Sequence, residues 1–148
     1  MASKHPIAYI DIRTTAHATE DTDKVLTALH NILPTELLET IDFTKTNLTG
    51  HHKNPITLLE TRIKDKTTAE KTFTKIVTGL SILDKETLNN EIHQHLEKTN
   101  LYLRLDKQNA YMNEFKLGQT DPIHIRIHFK NQNPDEIIET CRKFGLLP

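Results

Sequence analysis

Residues 123–130 alternate strictly between apolar side chains and side chains that can be cationic, which is the two-residue period of a β-strand. One face of this strand is isoleucine and phenylalanine, and the other face has His124, Arg126, His128 and Lys130. A guanidinium group binds phosphate oxygens through paired hydrogen bonds, so the basic face predicts a polyanion as ligand. A solvated sheet face is also polar, and this strand by itself is equally compatible with a face that binds nothing.

Two further segments add basic and aromatic side chains. The strand predicted at 101–105 turns Tyr102 and Arg104 outward, and Lys107 and Gln108 follow it. A tyrosine ring beside cations is typical of proteins that hold single-stranded RNA on a sheet. The loop between the second and third predicted strands has the remaining candidate ligand residues, which are His51, His52, Lys53 and Asn54.

Other chemistry is poorly represented. His124 and His128 lie about 13 Å apart on a strand, which is too far to share one metal ion. The sequence has no HExxH, paired CxxC or glycine-rich phosphate motif, and its lone cysteine, Cys141, falls on the apolar stripe of a predicted helix. We therefore expect no metal, no cofactor and no catalytic residue. An alternative left open is an enzyme acting on RNA, with His51 or His52 as general base.

The elements that must position these residues alternate along the chain. Strands are predicted at 7–13, 41–46, 56–64, 101–105 and 123–130, with a brief one at 115–117. Helices are predicted before Pro34, from a Thr67–Glu70 capping box, from near Asp84, and from Asn133 to Gly145. Because the strands alternate instead of reading as continuous apolar runs, the sequence predicts an α+β fold with a mainly antiparallel sheet and helices on one face.

Length and composition limit the function further. The 148 residues, 36% hydrophobic and 26% charged, suit one domain spanning 1–148. A net charge of -1 excludes a histone-like protein, and no apolar run approaches the roughly 18 residues of a membrane helix. Residues 1–6 lack the apolar core of a signal peptide, so we expect a cytoplasmic protein.

Three motifs and the start of the last strand together resemble a known family. They are Thr-Glu-Asp-Thr-Asp-Lys-Val at 19–25, Gly-His-His-Lys-Asn-Pro-Ile at 50–56, Leu-Tyr-Leu-Arg-Leu-Asp-Lys-Gln-Asn-Ala-Tyr at 101–111, and Ile-His-Ile-Arg at 123–126. In order and spacing the chain resembles the small archaeal RNA-binding proteins often described as predicted exosome subunits. The resemblance implies a fold similar to that of the 5S-rRNA-binding ribosomal protein, RNA as ligand, and no catalytic activity.

The chain departs from the family pattern at two positions where glycine is usual. Lys53 occupies one and Asn113 the other. Asparagine tolerates a left-handed backbone far better than lysine does. We therefore expect the turn at Asn113 to be kept, and the loop at Lys53 to have either a changed shape or an added phosphate contact.

Non-catalytic RNA binding is the main interpretation, connected with RNA processing or degradation by the exosome or with ribosomal RNA. The alternative is a protein-interaction or homodimerisation module that does not touch RNA. The expected partners are accordingly RNA, exosome or other RNA-processing proteins, or a second copy of the chain, with no membrane.

Overall fold

The computed structural model describes residues 5–50 and 53–148 as an α+β fold. Its strands are β1 (Ile7–His17), β2 (Thr44–Thr49), β3 (Pro55–Ile63), β4 (Leu96–Glu97), β5 (Asn100–Leu105) and β6 (Ile123–Phe129). Its α-helices are α1 (Thr22–Ile32), α2 (Lys66–Gly79), α3 (Ile82–Asn90), α4 (Lys107–Tyr111) and α5 (Pro134–Phe144). Two 3-10 turns, Thr35–Thr40 and Ile92–His95, complete the described elements.

All six strands form one sheet in the order β2-β3-β1-β6-β5-β4. Every pairing is antiparallel, which confirms the predicted sheet type. The longest strand, β1, has β3 on one side and β6 on the other. The first and last strands of the chain therefore meet at the centre of the sheet.

The helices cover one face of this sheet and enclose the hydrophobic core. Phe73 of α2 packs edge-on against Phe129 of β6 and against Phe144 of α5, with ring centroids 6.3 Å and 5.1 Å apart. The inward side chains of β6, from Ile123 to Phe129, are fully buried. Among the described residues no α-helix covers the opposite face, and we call it the open face.

One predicted helix start, at Asn133, is confirmed and another is wrong. Asp21 caps α1, and Asn133 caps α5 with a full capping box. The predicted Thr67–Glu70 box is wrong, because the side chain of Asp65 accepts the hydrogen bond from the backbone of Thr68 and begins α2.

Strand boundaries also differ from the prediction. β1 continues to His17 because Thr14 and Ala16 keep pointing into the core. The second strand begins later than predicted, at Thr44, because residues 35–40 form a 3-10 turn. The brief strand predicted at 115–117 is wrong: it contributes a single bridge between Leu117 and Leu105.

Both residues that replace family glycines keep a left-handed backbone, since φ is 62° at Lys53 and 62° at Asn113. The turn at Asn113 is therefore kept, as predicted. Lys53 takes the same φ despite its Cβ, and its backbone N–H donates to the carbonyl of Gly50 at 3.2 Å. Within the described residues, no helix combines the length and the apolar character that crossing a membrane requires.

Candidate nucleic-acid interface

The open face is organised in rows of residues that lie opposite each other on neighbouring strands. One row runs Glu60, Arg13, His124, Arg104 across β3, β1, β6 and β5. The next row, two residues further along each strand, runs Arg62, Asp11, Arg126, Tyr102, and a third runs Tyr9, His128, Asn100. The predicted outward residues of β5 and β6 therefore do share one surface.

Asp11 is paired with two arginines from the strands beside it. Arg62 donates two hydrogen bonds to the carboxylate, at 2.7 Å from Nε and 3.0 Å from Nη2, and Arg126 donates from the other side at 2.5 Å from Nη2. Burial alone would raise the pKa of Asp11, but the hydrogen bonds from Arg62 and Arg126 hold that pKa below its ordinary value. We call these three residues the Asp11 cluster.

Tyr9 lies beside this cluster with its ring already in contact. The Arg62 guanidinium carbon is 4.2 Å from the ring centroid, and the His128 ring stacks on Tyr9 at 4.6 Å. Arg62 lies on β3 and His128 lies on β6, and these strands flank β1, so the two contacts come from opposite sides of β1. His128 is further fixed by Asn100, whose side-chain oxygen is 2.8 Å from its Nδ1. Tyr9 is therefore poorly placed to stack on a base.

Arg13, His124 and Arg104 lie side by side on β1, β6 and β5, and we call them the basic row. Within the part of the chain described, no carboxylate forms an ion pair with either arginine. Burial and the neighbouring positive charges of Arg13 and Arg104 lower the pKa of His124. The positive charges of Arg13 and Arg104 that contribute to this shift also attract an anion.

The basic row lines the floor of a groove of about 770 Å³ on the open face. Tyr102 of β5 also lines this groove, is half-buried, and has no ring stacked on it among the described residues. One ring is thus placed for stacking next to three groups that can bind phosphate. The other polar side chains around the groove are Asp11, Thr44, Glu60, Thr61, Arg62, Gln94, Glu97 and Arg126.

Lys107 lies away from the open face, in an ion-pair network. Its side chain is only 10% exposed, and Nζ donates to the Thr15 carbonyl at 2.7 Å, to Asp121 at 2.8 Å and to Glu20 at 3.1 Å. The pKa of Asp121 would be raised by burial, but Lys107 and His17 lower it. These contacts give Lys107 a structural role and connect the end of β1 to α4.

The same network contains the one group of metal-ligating side chains found among residues 5–50 and 53–148. His17, Glu20 and Asp121 have ligand atoms within 4.8 Å of one another. The ammonium group of Lys107 already bonds to both carboxylates of this group.

The remaining candidates lie at other places on the surface. Gln108 is exposed in a cleft beside α1, Lys130 is exposed just after β6, and Lys53 and Asn54 are exposed just before the start of β3. His51 and His52 lie outside the described residues. The structure therefore brings together His124, Arg126, His128, Tyr102 and Arg104, and it places Lys53, Asn54, Lys107, Gln108 and Lys130 apart from them.

Arg13 and Asp11 complete this surface, although the predicted set of ligand residues omits both. The alternation of β1 already turns them outward. Their importance depends on strand order, because Arg13 lies beside His124 and Asp11 beside Arg126 only when β1 pairs with β6.

Comparison with known proteins decides the family. A family model described as RNA binding matches residues 9–129. The chain belongs to this RNA-binding family. An RNA-binding protein of Pyrococcus abyssi, PAB1135, is 35% identical over 133 residues, covering 88% of this chain and 86% of its own. The uncharacterized protein MJ0213 of Methanocaldococcus jannaschii is 33% identical over 117 residues, covering 77% and 78%.

Solved structures of archaeal proteins share the fold. AF2318 of Archaeoglobus fulgidus, a DUF54 protein, has a TM-score of 0.79 at 24% identity, covering 93% of this chain and 99% of its own. Mth689 of Methanothermobacter thermautotrophicus, also a DUF54 protein, has a TM-score of 0.72 at 26% identity, covering 93% and 97%. The names of the family and of the Pyrococcus relative point to RNA binding and not to catalysis.

Proposed function

We propose that the chain binds RNA, without cleaving or modifying it, through the open face of the sheet. The observation that supports this most directly is the basic row. Arg13 and Arg104 have no carboxylate partner among the described residues, so a phosphate can bind them without breaking an ion pair. Family membership supports RNA as the polyanion.

We assign the RNA to the single-stranded class. Tyr102 lines the groove and offers a ring next to the basic row. Double-stranded RNA hides its base faces, whereas an unstacked base can lie on an aromatic ring while its phosphate binds a cation. In this arrangement the basic row binds the backbone and Tyr102 stacks with a base.

Other predicted ligand residues have secondary roles in this proposal. Arg126 lines the groove as part of the Asp11 cluster, and His128 lies in the next row beyond it. Lys53 and Asn54, which come just before β3, are a second contact region, and Lys130 is a further contact just after β6. His51 and His52 belong to the same segment of the sequence and share this proposed role. Gln108 offers a hydrogen bond at the cleft beside α1.

Fluorescence anisotropy with labelled RNA of about 12 nucleotides tests this function. We expect the single strand to bind more tightly than a duplex of equal length, with affinity falling steeply as salt rises, since each phosphate contact adds about one unit to the salt slope. Absence of binding at low salt, or binding with no salt dependence, would contradict the proposal. Intact RNA after prolonged incubation is the expected result of the parallel test for catalysis.

RNA processing or degradation in the cytoplasm is the cellular setting we propose. The resemblance to predicted exosome subunits supports the exosome, and the implied likeness to the 5S-rRNA-binding ribosomal protein supports ribosomal RNA. Crosslinking in cells, followed by identification of bound RNA and proteins, separates these settings. Exosome proteins recovered after ribonuclease treatment would favour the first, and dominant 5S rRNA would favour the second.

A specific observation also supports homodimerisation as a second candidate function. β2 is an edge strand with all six residues exposed, and Leu48, Ile56 and Leu58 form an apolar patch on the hairpin that it makes with β3. Such an edge can pair with another strand. Sedimentation with and without RNA distinguishes the candidates, because a salt-insensitive dimer that ignores RNA would favour the second.

A further inference from the structure

Glu60 is the acidic residue in the row that contains Arg13 and His124. It lies on β3 directly opposite Arg13, is half-buried, and lines the groove. Among the described residues its carboxylate has no hydrogen bond and no ion pair. A negative charge beside a phosphate site weakens phosphate binding, so this position calls for a different ligand group.

The other carboxylate at the centre of the open face, Asp11, differs in this respect. Its Oδ1 accepts a hydrogen bond from Arg62, and its Oδ2 accepts from both Arg62 and Arg126. Glu60 keeps both oxygens available, and an ionised carboxylate is an acceptor only. Whatever Glu60 binds must therefore donate hydrogen bonds.

Position in the sheet indicates which part of a nucleotide reaches Glu60. Neighbouring strands are about 4.8 Å apart, so β3 lies roughly 10 Å from β6, at the centre of the basic row. A nucleotide whose phosphate binds the basic row can extend its base across this distance. The donors on a base edge are ring N–H groups and exocyclic amino groups, and a carboxylate typically accepts from the amino group of cytosine.

We infer that Glu60 reads the base, accepting a hydrogen bond from an exocyclic amino group and so selecting cytosine over uracil in the bound strand. This inference rests on the proposed RNA binding through the open face. Cytosine has an amino donor at ring position 4, where uracil has a carbonyl acceptor. The carboxylate of Glu60 can accept from this amino group, whereas at the same position uracil presents a carbonyl oxygen that repels it, so uracil would have to donate from its ring N–H instead.

Anisotropy titrations with oligocytidine and oligouridine of about 12 nucleotides test the inference at pH about 7.5. The wild type is expected to bind oligocytidine about tenfold more tightly, which is the usual discrimination from one charge-assisted hydrogen bond. Glu60→Ala should bring the ratio to about one. Glu60→Gln should also reduce it, because the amide can donate to the uracil carbonyl.

The ratio of the two affinities is the informative quantity, because removing a negative charge strengthens binding to oligocytidine and to oligouridine alike. Glu139→Gln is the matched control, since Glu139 lies on α5 and is paired with Arg142 there, so its ratio should stay about tenfold. Equal affinity of the wild type for both strands, or a ratio that survives Glu60→Ala, would overturn the inference and leave RNA binding intact. Failure of the wild type to bind either strand would overturn the proposed function and this inference with it.

Discussion

The Asp11 cluster and the basic row lie in adjacent rows of one sheet and each contain two arginines, but the arginines of the two sets are not equivalent. Arg62 and Arg126 share the Asp11 carboxylate, whereas Arg13 and Arg104 flank His124 without an ion pair among the described residues. The number of arginines on a surface is therefore a poor measure of its capacity for phosphate. The placement of one aspartate decides which cations are available.

The largest expected effect comes from removing the available pair. Arg13→Ala combined with Arg104→Ala should weaken single-stranded RNA binding by more than about tenfold and reduce the salt slope by roughly two units. Anisotropy over a salt series measures both quantities. Arg142→Ala is the control, because Arg142 lies on α5 and pairs with Glu139. An unchanged slope in a folded double variant would contradict the location of the site.

A smaller effect, of opposite sign, is expected when the Asp11 cluster loses its carboxylate. Asp11→Asn frees Arg62 and Arg126, so RNA should bind several-fold more tightly and the salt slope should steepen by about one unit. The free energy of unfolding should fall by about 1 kcal/mol, since the ion pairs are partly exposed. Denaturant unfolding and anisotropy check the two results. Weaker RNA binding by a folded Asp11→Asn variant would contradict the expectation that Asp11 keeps Arg62 and Arg126 from binding phosphate.

The pH dependence of RNA affinity and of stability also distinguishes the basic row from the Asp11 cluster. The pKa of His124 lies below its ordinary value of 6.5, because burial and the charges of Arg13 and Arg104 disfavour protonation. A bound phosphate favours the protonated form of His124, so affinity for RNA should rise as pH falls from about 7 to 5. The uptake of one proton limits this rise to at most about tenfold per pH unit. Over the same range the unfolded chain binds more protons at this site, so the contribution of His124 to stability should decrease.

His124→Gln is the variant that isolates this dependence. We expect a flatter affinity profile between pH about 7 and 5 and a smaller loss of melting temperature over the same range. His30→Gln is the matched control, because His30 lies on α1 against the ring of Phe43 and outside the basic row. The same pH profile in wild type and His124→Gln would show that a different group titrates.

The smallest expected effect concerns Lys53, a cation outside both the Asp11 cluster and the basic row. A left-handed backbone costs a residue with a Cβ about 1 to 2 kcal/mol, and the φ of Lys53 is 62°. Lys53→Gly should therefore raise the free energy of unfolding by about 1 kcal/mol and reduce the RNA salt slope by no more than one unit. A destabilised Lys53→Gly variant would mean that the lysine side chain makes contacts that offset the backbone strain.

Local patterns in the sequence predict much of this fold because each depends on neighbouring residues. The alternation at 123–130 identifies the faces of β6, and Asn133, Pro134 and Gly145 identify both ends of α5. Long-range pairing is different. Asp11 meets Arg126 across 115 positions of sequence, so no local pattern shows that this arginine is already paired. For the same reason Lys107 has the sequence context of a ligand residue and yet binds Glu20 and Asp121.

The meeting of β1 and β6 at the centre of the sheet has a consequence for synthesis on the ribosome. β1 leaves the ribosome first, but one of its two neighbours in the sheet is made only after residue 122. Contacts so distant in sequence slow folding, and until β6 is made the nascent chain has one edge of β1 unpaired. Arg13 gains His124 as a neighbour at the same moment, so the growing chain acquires its phosphate-binding row only as its core closes.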